Sequence, residues 1–275
     1  MASYLKEKYQ VGIQLLCRTL NLNRSSWYYQ SIRDDSEVEN KLKSLAKSYP
    51  TRGFDWYYLK IRSEGLIWNR KRVLRIYRKL KLGLRRKHKK RLNRPYRYAL
   101  AQPLAPNFTW SMDFMSDVLE DGRKVRILTI IDDYNREALA IDVGLSIPSP
   151  RVIRMLERLI SKRGKPASIR TDNGPEFTSH QLADFCQDKK IEQWFIQPGK
   201  PSQNGYIERF NRTYREDVLD AYIFEDMESL RIVSSQWLKK YNQGHPHQAL
   251  GGRSPLDFKE YRKENSREFV YFNPV

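Results

Sequence analysis

Apolar residues recur at the three- and four-residue spacing of an amphipathic helix in three segments of the first hundred residues. These are Leu42/Leu45/Ala46/Tyr49, Phe54/Tyr57/Tyr58/Ile61 and Val73/Ile76/Tyr77/Leu80. Asn69 is suited to cap the start of the third helix, and Gly83 to end it. Because the short connection before that helix contains Gly65, we predict that the second and third helices form a helix-turn-helix-like pair.

The pattern becomes strand-like after Pro103. Residues 110–119 are predicted to form a strand, in which successive side chains point to opposite faces. This places Ser111, Asp113, Met115 and Asp117 on one side. Residues 125–131 and 138–145 are near-continuous apolar runs, typical of strands covered on both faces. A helix (151–163), a strand (168–171), a helix (181–189), a strand (191–196) and a helix containing Glu208 follow. The order predicts an α/β, RNase H-like fold: a mixed five-stranded sheet with flanking helices, preceded by a basic all-helical region.

Positive charge is concentrated in the first third of the chain. The formal net charge is +19, and residues 1–100 contain 26 Lys and Arg against 7 Asp and Glu, while the remainder is balanced. Fifteen basic residues and no acidic one lie between Arg70 and Arg97. Such a run repels itself unless a polyanion is near, so it predicts contacts with nucleic-acid phosphates. The candidates on the third helix are Arg70, Lys71, Arg72, Arg75, Arg78 and Lys79.

Length and texture predict three parts: an N-terminal helical segment (1–35), a basic helix-turn-helix-like DNA-binding region (36–100) and a catalytic core with a C-terminal helical extension (101–275). Cys17 and Cys186 are too few and too far apart for a disulfide framework or a zinc site. With neither a secretory signal nor an apolar stretch of roughly 18 residues, we expect no membrane association and a cytoplasmic location.

Three carboxylates carry the candidate chemistry. Asp113 lies mid-strand, Asp172 in the segment 171–177, and Glu208 in the segment 204–211. Three carboxylates that converge can hold two divalent metals, and two metals are what in-line attack on a phosphodiester needs. Oxygen-only ligands favour Mg²⁺ or Mn²⁺ over zinc. The triad therefore predicts a metal-dependent enzyme that cuts and joins DNA.

The motifs around the triad, with further blocks at 49–53, 198–204, 241–242 and 246–250, resemble the DDE transposases of bacterial insertion sequences. The likeness is to the second-frame (OrfB) product of the IS-three family, which is related to retroviral integrases, and it covers nearly the whole chain. It implies that water nicks an element end and that the freed 3′-OH attacks a second phosphodiester. The implied partners are double-stranded DNA of element ends and target, further copies of the chain in a synaptic complex, and an upstream-frame (OrfA) protein or fusion.

Further DNA contacts are expected beside Glu208. Arg212 and Arg215 share a helix face with Glu208 and Asn211, at spacings of three, four and seven residues. The resemblance implies a basic residue seven positions after the glutamate, which Arg215 matches. Lys200 and Gln203, in the preceding loop, are also candidates.

Several neighbouring groups compete with this assignment. Position alone does not distinguish Asp113 from Asp117, which shares its strand face. Asp132 and Asp133 are expected to be turn formers or surface groups. His245, where the family usually has arginine, and His247 are expected to be structural or DNA-facing.

Two other functions stay open at this point. One is an RNase H-like nuclease that cuts without joining, and the other is a DNA-binding protein whose catalysis has lapsed. The first predicts hydrolysis products without strand-transfer products. The second predicts DNA binding that neither Glu208→Gln nor metal changes.

Overall fold

The computed structural model describes residues 2–29, 34–84, 100–197 and 201–265, without the side chains of Pro201 and Ser202. The chain divides into two compact units, Met1–Lys41 and Leu42–Val275. The predicted three-part division therefore stays a prediction. Lys200 and the basic stretch 85–97 lie outside the described residues. Within the described part, no helix is long and apolar enough to span a membrane.

The N-terminal part of the chain is helical. Its helices are α1 (Ala2–Tyr9), α2 (Ile13–Thr19), α3 (Arg24–Tyr28) and α4 (Ser36–Ser48). In α2, Leu16 and Cys17 are the buried residues.

Two short helices follow, α5 (Phe54–Ser63) and α6 (Arg70–Lys79). The side chain of Asn69 accepts a hydrogen bond from the Lys71 amide over 2.8 Å, as expected of an N-cap. Val73, Ile76 and Tyr77 form the buried face of α6. The predicted stop at Gly83 is wrong, because the helix ends at Lys79 and Lys81 takes the left-handed conformation (φ 53°) that a C-terminal glycine usually supplies.

The predicted α/β fold is confirmed by a five-stranded mixed sheet. Its strands are β1 (Thr109–Val118), β2 (Lys124–Asp132), β3 (Ala138–Gly144), β4 (Ser168–Thr171) and β5 (Glu192–Phe195). The spatial order is β3-β2-β1-β4-β5. The first three strands pair antiparallel, while β4 pairs parallel with both β1 and β5. Strand β1, which carries Asp113, is therefore central.

Helices flank the sheet in the predicted order. They are α7 (Ser149–Arg163), α8 (His180–Lys189), α9 (Gly205–Tyr214), α10 (Met227–Gly244) and α11 (Pro255–Glu264). A 3₁₀ turn, Pro201–Asn204, precedes α9. A π-helical turn, Arg215–Leu219, follows it, in which the Asp220 amide donates to the Arg215 carbonyl over 2.8 Å. A second 3₁₀ turn, Gln248–Leu250, precedes α11.

Successive side chains of β1 point to opposite faces of the sheet and pack into two different hydrophobic cores. Trp110 and Met112 pack with the apolar faces of α7 and α8, for example Leu156 and Leu182. On the opposite face, Met115 packs among residues that include Tyr214 at the end of α9. Asp113 has the same parity as Met115, so the strand directs it towards α9.

Helix α10 covers the edge of the sheet at β3. The Asn242 side chain accepts from the Ala138 amide over 2.8 Å and donates to the Ala138 carbonyl over 2.9 Å. The Arg231 guanidinium donates to the Val143 carbonyl over 3.0 Å. Two side chains of one helix thus satisfy backbone groups that an edge strand otherwise leaves open.

Asp132 and Asp133 were expected to be turn formers or surface groups; Asp132 does form the turn between β2 and β3, but neither residue lies at the surface, because both are fully buried. Asp132 accepts hydrogen bonds from the amides of Asn107 and Tyr134, over 2.8 and 2.9 Å. Asp133 forms an ion pair with Arg170 of β4 over 2.7 Å. Long-range partners that a local pattern does not reveal therefore hold these carboxylates inside the fold.

Candidate active site

The parallel pairing of β1 with β4 brings Asp113 and Asp172 to the same level of the sheet. Ser111 pairs with Arg170 in this register. Asp113 lies two residues further along β1, and Asp172 is the first residue after β4, so the two are at the same level where β4 ends. The Asp172 carboxylate accepts from the Gly174 amide over 3.1 Å, which closes a tight turn after the strand.

Gly174 permits that turn by having no side chain. A Cβ at this position would lie 3.0 Å from the Asp172 carboxylate oxygen. The Asn173 side chain donates to the Ile196 carbonyl over 3.0 Å, which fastens the turn to the end of β5. The carboxylate of Asp172 is therefore held by its own loop.

Glu208 lies in the first turn of α9, the helix packed against β1 and β2. The helical spacing of Ile207, Phe210 and Tyr214 in the sequence predicts a buried stripe, and all three residues are buried. The Glu208 side chain is exposed. The apolar stripe thus fixes the helix on the sheet and leaves the glutamate beside the site.

The carboxyl group of Asp113 is affected by its burial and by the charges of Asp172 and Glu208. Burial raises the pKa of Asp113 to about 6, and the charges of Asp172 and Glu208 add to the rise. Hydrogen bonds from the Phe114 amide and the Asn211 side chain, each 2.8 Å, oppose it. A partly buried carboxylate near two like charges is unfavourable unless a cation neutralises the group.

Asn211 is a site residue that the sequence pattern misassigned. It was expected on an exposed face with Glu208, but it is buried. Its amide donates to Asp113, and its oxygen accepts from the Thr129 hydroxyl of β2 over 2.8 Å. The only signal in the sequence is its place three residues after Glu208, one turn along the same helix.

The donor set fits a hard divalent cation. The three residues offer carboxylate oxygens alone, which suit Mg²⁺ or Mn²⁺. Burial is the main reason that the pKa of Asp113 is raised, and a cation would relieve the smaller part that comes from the charges of Asp172 and Glu208. Among the described residues, however, no three His, Cys, Asp or Glu side chains are close enough in this conformation to hold one ion. The site has the chemistry of a metal centre without its closed coordination geometry.

A groove of about 710 Å³, the α9 groove, extends from Glu208 along α9 to the start of α5. Its lining is mixed in charge, because Asp55 in the first turn of α5 and Glu216 also line it. Arg209 and Arg212 line the same groove, and neither forms an ion pair with another described residue. Unpaired guanidinium groups are suited to phosphate oxygens.

The other predicted DNA contacts have varied surroundings. On α6, Arg70, Lys71, Arg75, Arg78 and Lys79 are exposed and Arg72 is half-buried. Gln203 accepts from the Gln197 amide over 2.8 Å and so braces the turn before α9. Arg215 donates to the Ser116 carbonyl of β1 over 2.8 Å and lies 3.8 Å from Asp220. The structure brings Arg212 beside Glu208 and anchors Arg215 to the sheet.

The other acidic groups differ in their surroundings. Asp133 is engaged by Arg170, as described above. Glu176, downstream of Asp172, forms an ion pair with Arg126 of β2, whose guanidinium lies 4.3 Å from the Phe114 ring centroid. The half-buried Asp117 has its charge near Tyr214.

The two histidines near the groove are structural in their contacts. His245 stacks on Tyr241 with ring centroids 4.9 Å apart, and it accepts from the Trp56 indole over 3.4 Å. Burial lowers the pKa of His245 well below its ordinary value and that of His247 to about 3. Both are therefore neutral imidazoles packed between α5 and α10.

Comparison with protein-family models identifies the fold. Two models described as integrase core domain match residues 103–201 and 189–255. Fold and site together define an integrase-type catalytic core. The chain belongs to the insertion-sequence transposases of the retroviral integrase superfamily, which confirms the resemblance drawn from its motifs.

Two relatives and one solved structure illustrate the similarity. A 31.7 kDa protein of insertion element IS407 from Burkholderia multivorans is 37% identical, over 93% of each chain. The transposase InsD for insertion element IS2 from Escherichia coli is 25% identical, over 92% of this chain and 93% of the relative. The HTLV-2 integrase catalytic core domain in complex with magnesium is 24% identical over 56% of this chain and 97% of that one, with a TM-score of 0.46.

Proposed function

We propose that the protein catalyses metal-dependent strand cleavage and strand transfer at the ends of its insertion sequence, with Asp113, Asp172 and Glu208 as the catalytic residues. The observation that carries the proposal is the parallel pairing of β1 with β4, which sets Asp113 in β1 level with Asp172 just beyond the end of β4, with Glu208 on the helix packed against β1 and β2. A transposase needs both reactions, cutting and joining, in one site.

In this proposal the three carboxylates hold Mg²⁺ or Mn²⁺, with two ions in each site. Bound there, the metals supply activation of the attacking oxygen and charge stabilisation of the leaving oxygen. Other groups of the protein orient the carboxylates that would bind these metals. Asn211 and the Phe114 amide orient the Asp113 carboxylate, and the Gly174 amide orients that of Asp172.

The same proposal assigns DNA to the basic surfaces. Arg209 and Arg212 bind backbone phosphates beside the scissile one, and Arg215 and Gln203 contribute from the two ends of α9. The exposed cations of α6 bind a more distant stretch of duplex, and Lys200 belongs to this set by its sequence position. Contacts with phosphates fix the position of the DNA but do not read its base sequence. Because these contacts are electrostatic, binding is expected to be steeply salt-dependent.

Partners and location follow from this reaction. Element ends and target are double-stranded DNA, and pairing two ends in one complex calls for several copies of the chain. An upstream-frame protein or fusion supplies further end recognition. The site of action is the bacterial nucleoid.

The decisive experiment follows cleavage and joining of a labelled duplex carrying the element's own ends, with Mn²⁺. Wild type is compared with Glu208→Gln and with Glu225→Gln, which makes the same chemical change at an exposed glutamate. Cleaved and joined products with wild type and Glu225→Gln, absent with Glu208→Gln, support the proposal. Cleavage without joining favours the nuclease. DNA binding without reaction from any variant, including a fusion with the upstream frame, favours a lapsed enzyme.

A further inference from the structure

The segment Tyr49–Gly53 is unusual in placing a buried arginine at a junction between helices. Arg52, just before α5, is only 8% exposed. A buried guanidinium requires hydrogen-bonding partners, because an unpaired buried charge is strongly destabilising. Both of its acidic partners lie in one short stretch of chain, the π-helical turn Arg215–Leu219.

The contacts at this junction are specific. One terminal nitrogen of Arg52 donates to the Asp217 carboxylate over 2.5 Å, and the other lies 3.6 Å from Glu216. The same Asp217 carboxylate accepts from the Trp237 indole of α10 over 3.0 Å and from the Thr51 hydroxyl over 3.4 Å. Asp217 therefore joins the entry to α5 and the middle of α10 at one point.

That point lies directly after the helix that carries Glu208. The π-helical turn continues α9 without a break, and its first residue, Arg215, is tied to the Ser116 carbonyl of β1, three residues beyond Asp113. A π-helical turn inside a helix is rare and is frequently found at functional sites. Here one side of the turn is fixed to the strand bearing Asp113 and the other to Arg52.

We propose that Arg52 is a positioning residue for the metal site. By holding Asp217 and Glu216, it sets the end of α9 and thereby the place at which Glu208 presents its carboxylate to Asp113 and Asp172. This inference rests on the proposed function, because it takes Glu208 as a metal ligand. It also gives a role to a motif that the catalytic triad leaves unexplained.

The planar fork of arginine matters in this arrangement. Its two terminal nitrogens serve two different carboxylates, whereas the single ammonium of lysine is a point charge on a flexible stem. We therefore expect Arg52→Lys to keep the charge of the junction but to lose its geometry. Asp217→Asn keeps the shape of the acceptor and removes its charge.

The test uses the full chain and a matched control. Asp142→Asn weakens another arginine–carboxylate pair, in which Arg151 donates to Asp142 over 2.7 and 2.8 Å, at the junction of β3 and α7. The first readout is hydrogen–deuterium exchange of the peptide covering Gly205–Tyr214, which reports local opening of α9. The second is the Mn²⁺ affinity of the protein, measured by calorimetry, and the third is the Mn²⁺ concentration that gives half-maximal cleavage.

We expect Asp217→Asn and Arg52→Lys to accelerate exchange in α9 and to weaken Mn²⁺ binding about tenfold or more, as loss of a group that orients a metal ligand does. Since both act on one contact, the double variant should be no worse than the stronger single. Asp142→Asn should lower the melting temperature without altering α9 exchange or Mn²⁺ affinity.

The outcomes separate this inference from the proposed function. If wild type cuts and joins DNA while Asp217→Asn and Arg52→Lys resemble Asp142→Asn in exchange and metal affinity, the positioning role is wrong and the function stands. If α9 exchange and Mn²⁺ affinity shift as expected but wild type neither cuts nor joins DNA, the function is wrong and the positioning role stands. Should Asp217→Asn fail to fold, Arg52→Lys alone decides through the same readouts.

Discussion

The side-chain amide of Asn211 donates to the carboxylate of Asp113 over 2.8 Å, across the interface between α9 and the central strand. The same amide group accepts from the Thr129 hydroxyl of β2, so its orientation is fixed by a second strand. One side chain of the helix that carries Glu208 therefore orients the carboxylate of Asp113. If the three carboxylates bind metal as proposed, their geometry depends on a side chain that is not itself a ligand.

Replacing Asn211 should damage catalysis more than folding. Asn211→Ala removes the donor to Asp113, and we expect Mn²⁺-dependent cleavage to fall about 10- to 100-fold. The free energy of unfolding should fall by about 1–3 kcal/mol, because the Thr129 hydroxyl loses a buried partner. The control is Thr213→Ala on the same helix, whose hydroxyl bonds only within α9. Equal cleavage rates for the two variants would contradict the positioning role of Asn211.

Metal should stabilise the folded protein through the triad. A ligand that binds only the native state at one hundred times its dissociation constant adds about 2.7 kcal/mol of stability. Wild type should therefore melt at a higher temperature in Mn²⁺ than in a chelator, and Glu208→Gln should show a smaller rise. A full rise in Glu208→Gln would mean that the stabilising ion binds elsewhere.

Arg212 offers a test of whether the α9 groove binds DNA. Arg212→Ala should weaken binding to element-end duplex and lower the slope of log affinity against log salt by about one unit, as loss of one phosphate contact requires. Arg154→Ala removes the same charge from an exposed position on α7, across the sheet. An equal change in both variants, measured by fluorescence anisotropy at several salt concentrations, would show only a general effect of net charge.

Acidification should destabilise the protein through its buried histidines. Burial lowers the pKa of His247 to about 3, with the cationic groups of Arg136, Arg209 and Arg52 adding to the effect. The folded protein favours the neutral imidazole. The contribution of His247 to the free energy of unfolding is therefore complete above the unfolded-state pKa of about 6.5 and is lost as the pH falls towards 3. Between pH 6.5 and 5 the loss is about 2 kcal/mol for this one histidine.

The measurement compares urea unfolding at pH 7 and pH 5. His247→Gln should show a smaller loss on acidification than wild type, whereas His180→Gln, at an exposed position, should match wild type. The raised carboxyl pKa values of Asp113 and Asp133 act in the opposite direction, so the difference between variants is the relevant quantity. If wild type, His247→Gln and His180→Gln lost the same unfolding free energy between pH 7 and pH 5, a buried neutral His247 would be contradicted.

The ion pair between Asp133 and Arg170 should be costly to break from one side. Asp133→Ala leaves the Arg170 guanidinium without its carboxylate between β4 and the β2–β3 turn, and we expect a loss of about 3–5 kcal/mol in unfolding free energy. Glu228→Ala, which removes an exposed ion pair with Arg231, should change stability by less than about 1 kcal/mol. Similar losses would argue against effective burial of the Asp133 pair.

The sequence alone predicted the sheet well, because alternation and apolar runs are local properties. The order of strands and helices, the buried stripe of Ile207, Phe210 and Tyr214, and the cap at Asn69 all depend on residues close together in the chain. The C-terminal stop of α6 was missed because Lys81, rather than Gly83, adopts the left-handed conformation. The spacing of apolar residues does not indicate where a lysine will adopt a conformation that usually favours glycine.

What the sequence did not disclose is mostly long-range. Asn211 meets Asp113 across 98 residues, and Arg52 meets Asp217 across 165. The burial of Asp133 depends on Arg170 from another strand. A polar residue looks like a surface residue until its distant partner is known, so these assignments needed the fold.

The hydrogen bonds of Asn242 and Arg231 to β3 have a consequence for how copies of the chain can meet. An uncovered strand edge is a template on which a strand from another molecule can add. With Ala138 and Val143 already bonded to side chains of α10, sheet extension at this edge would have to displace that helix. A second copy of the chain is therefore not expected to extend the sheet by adding a strand along β3.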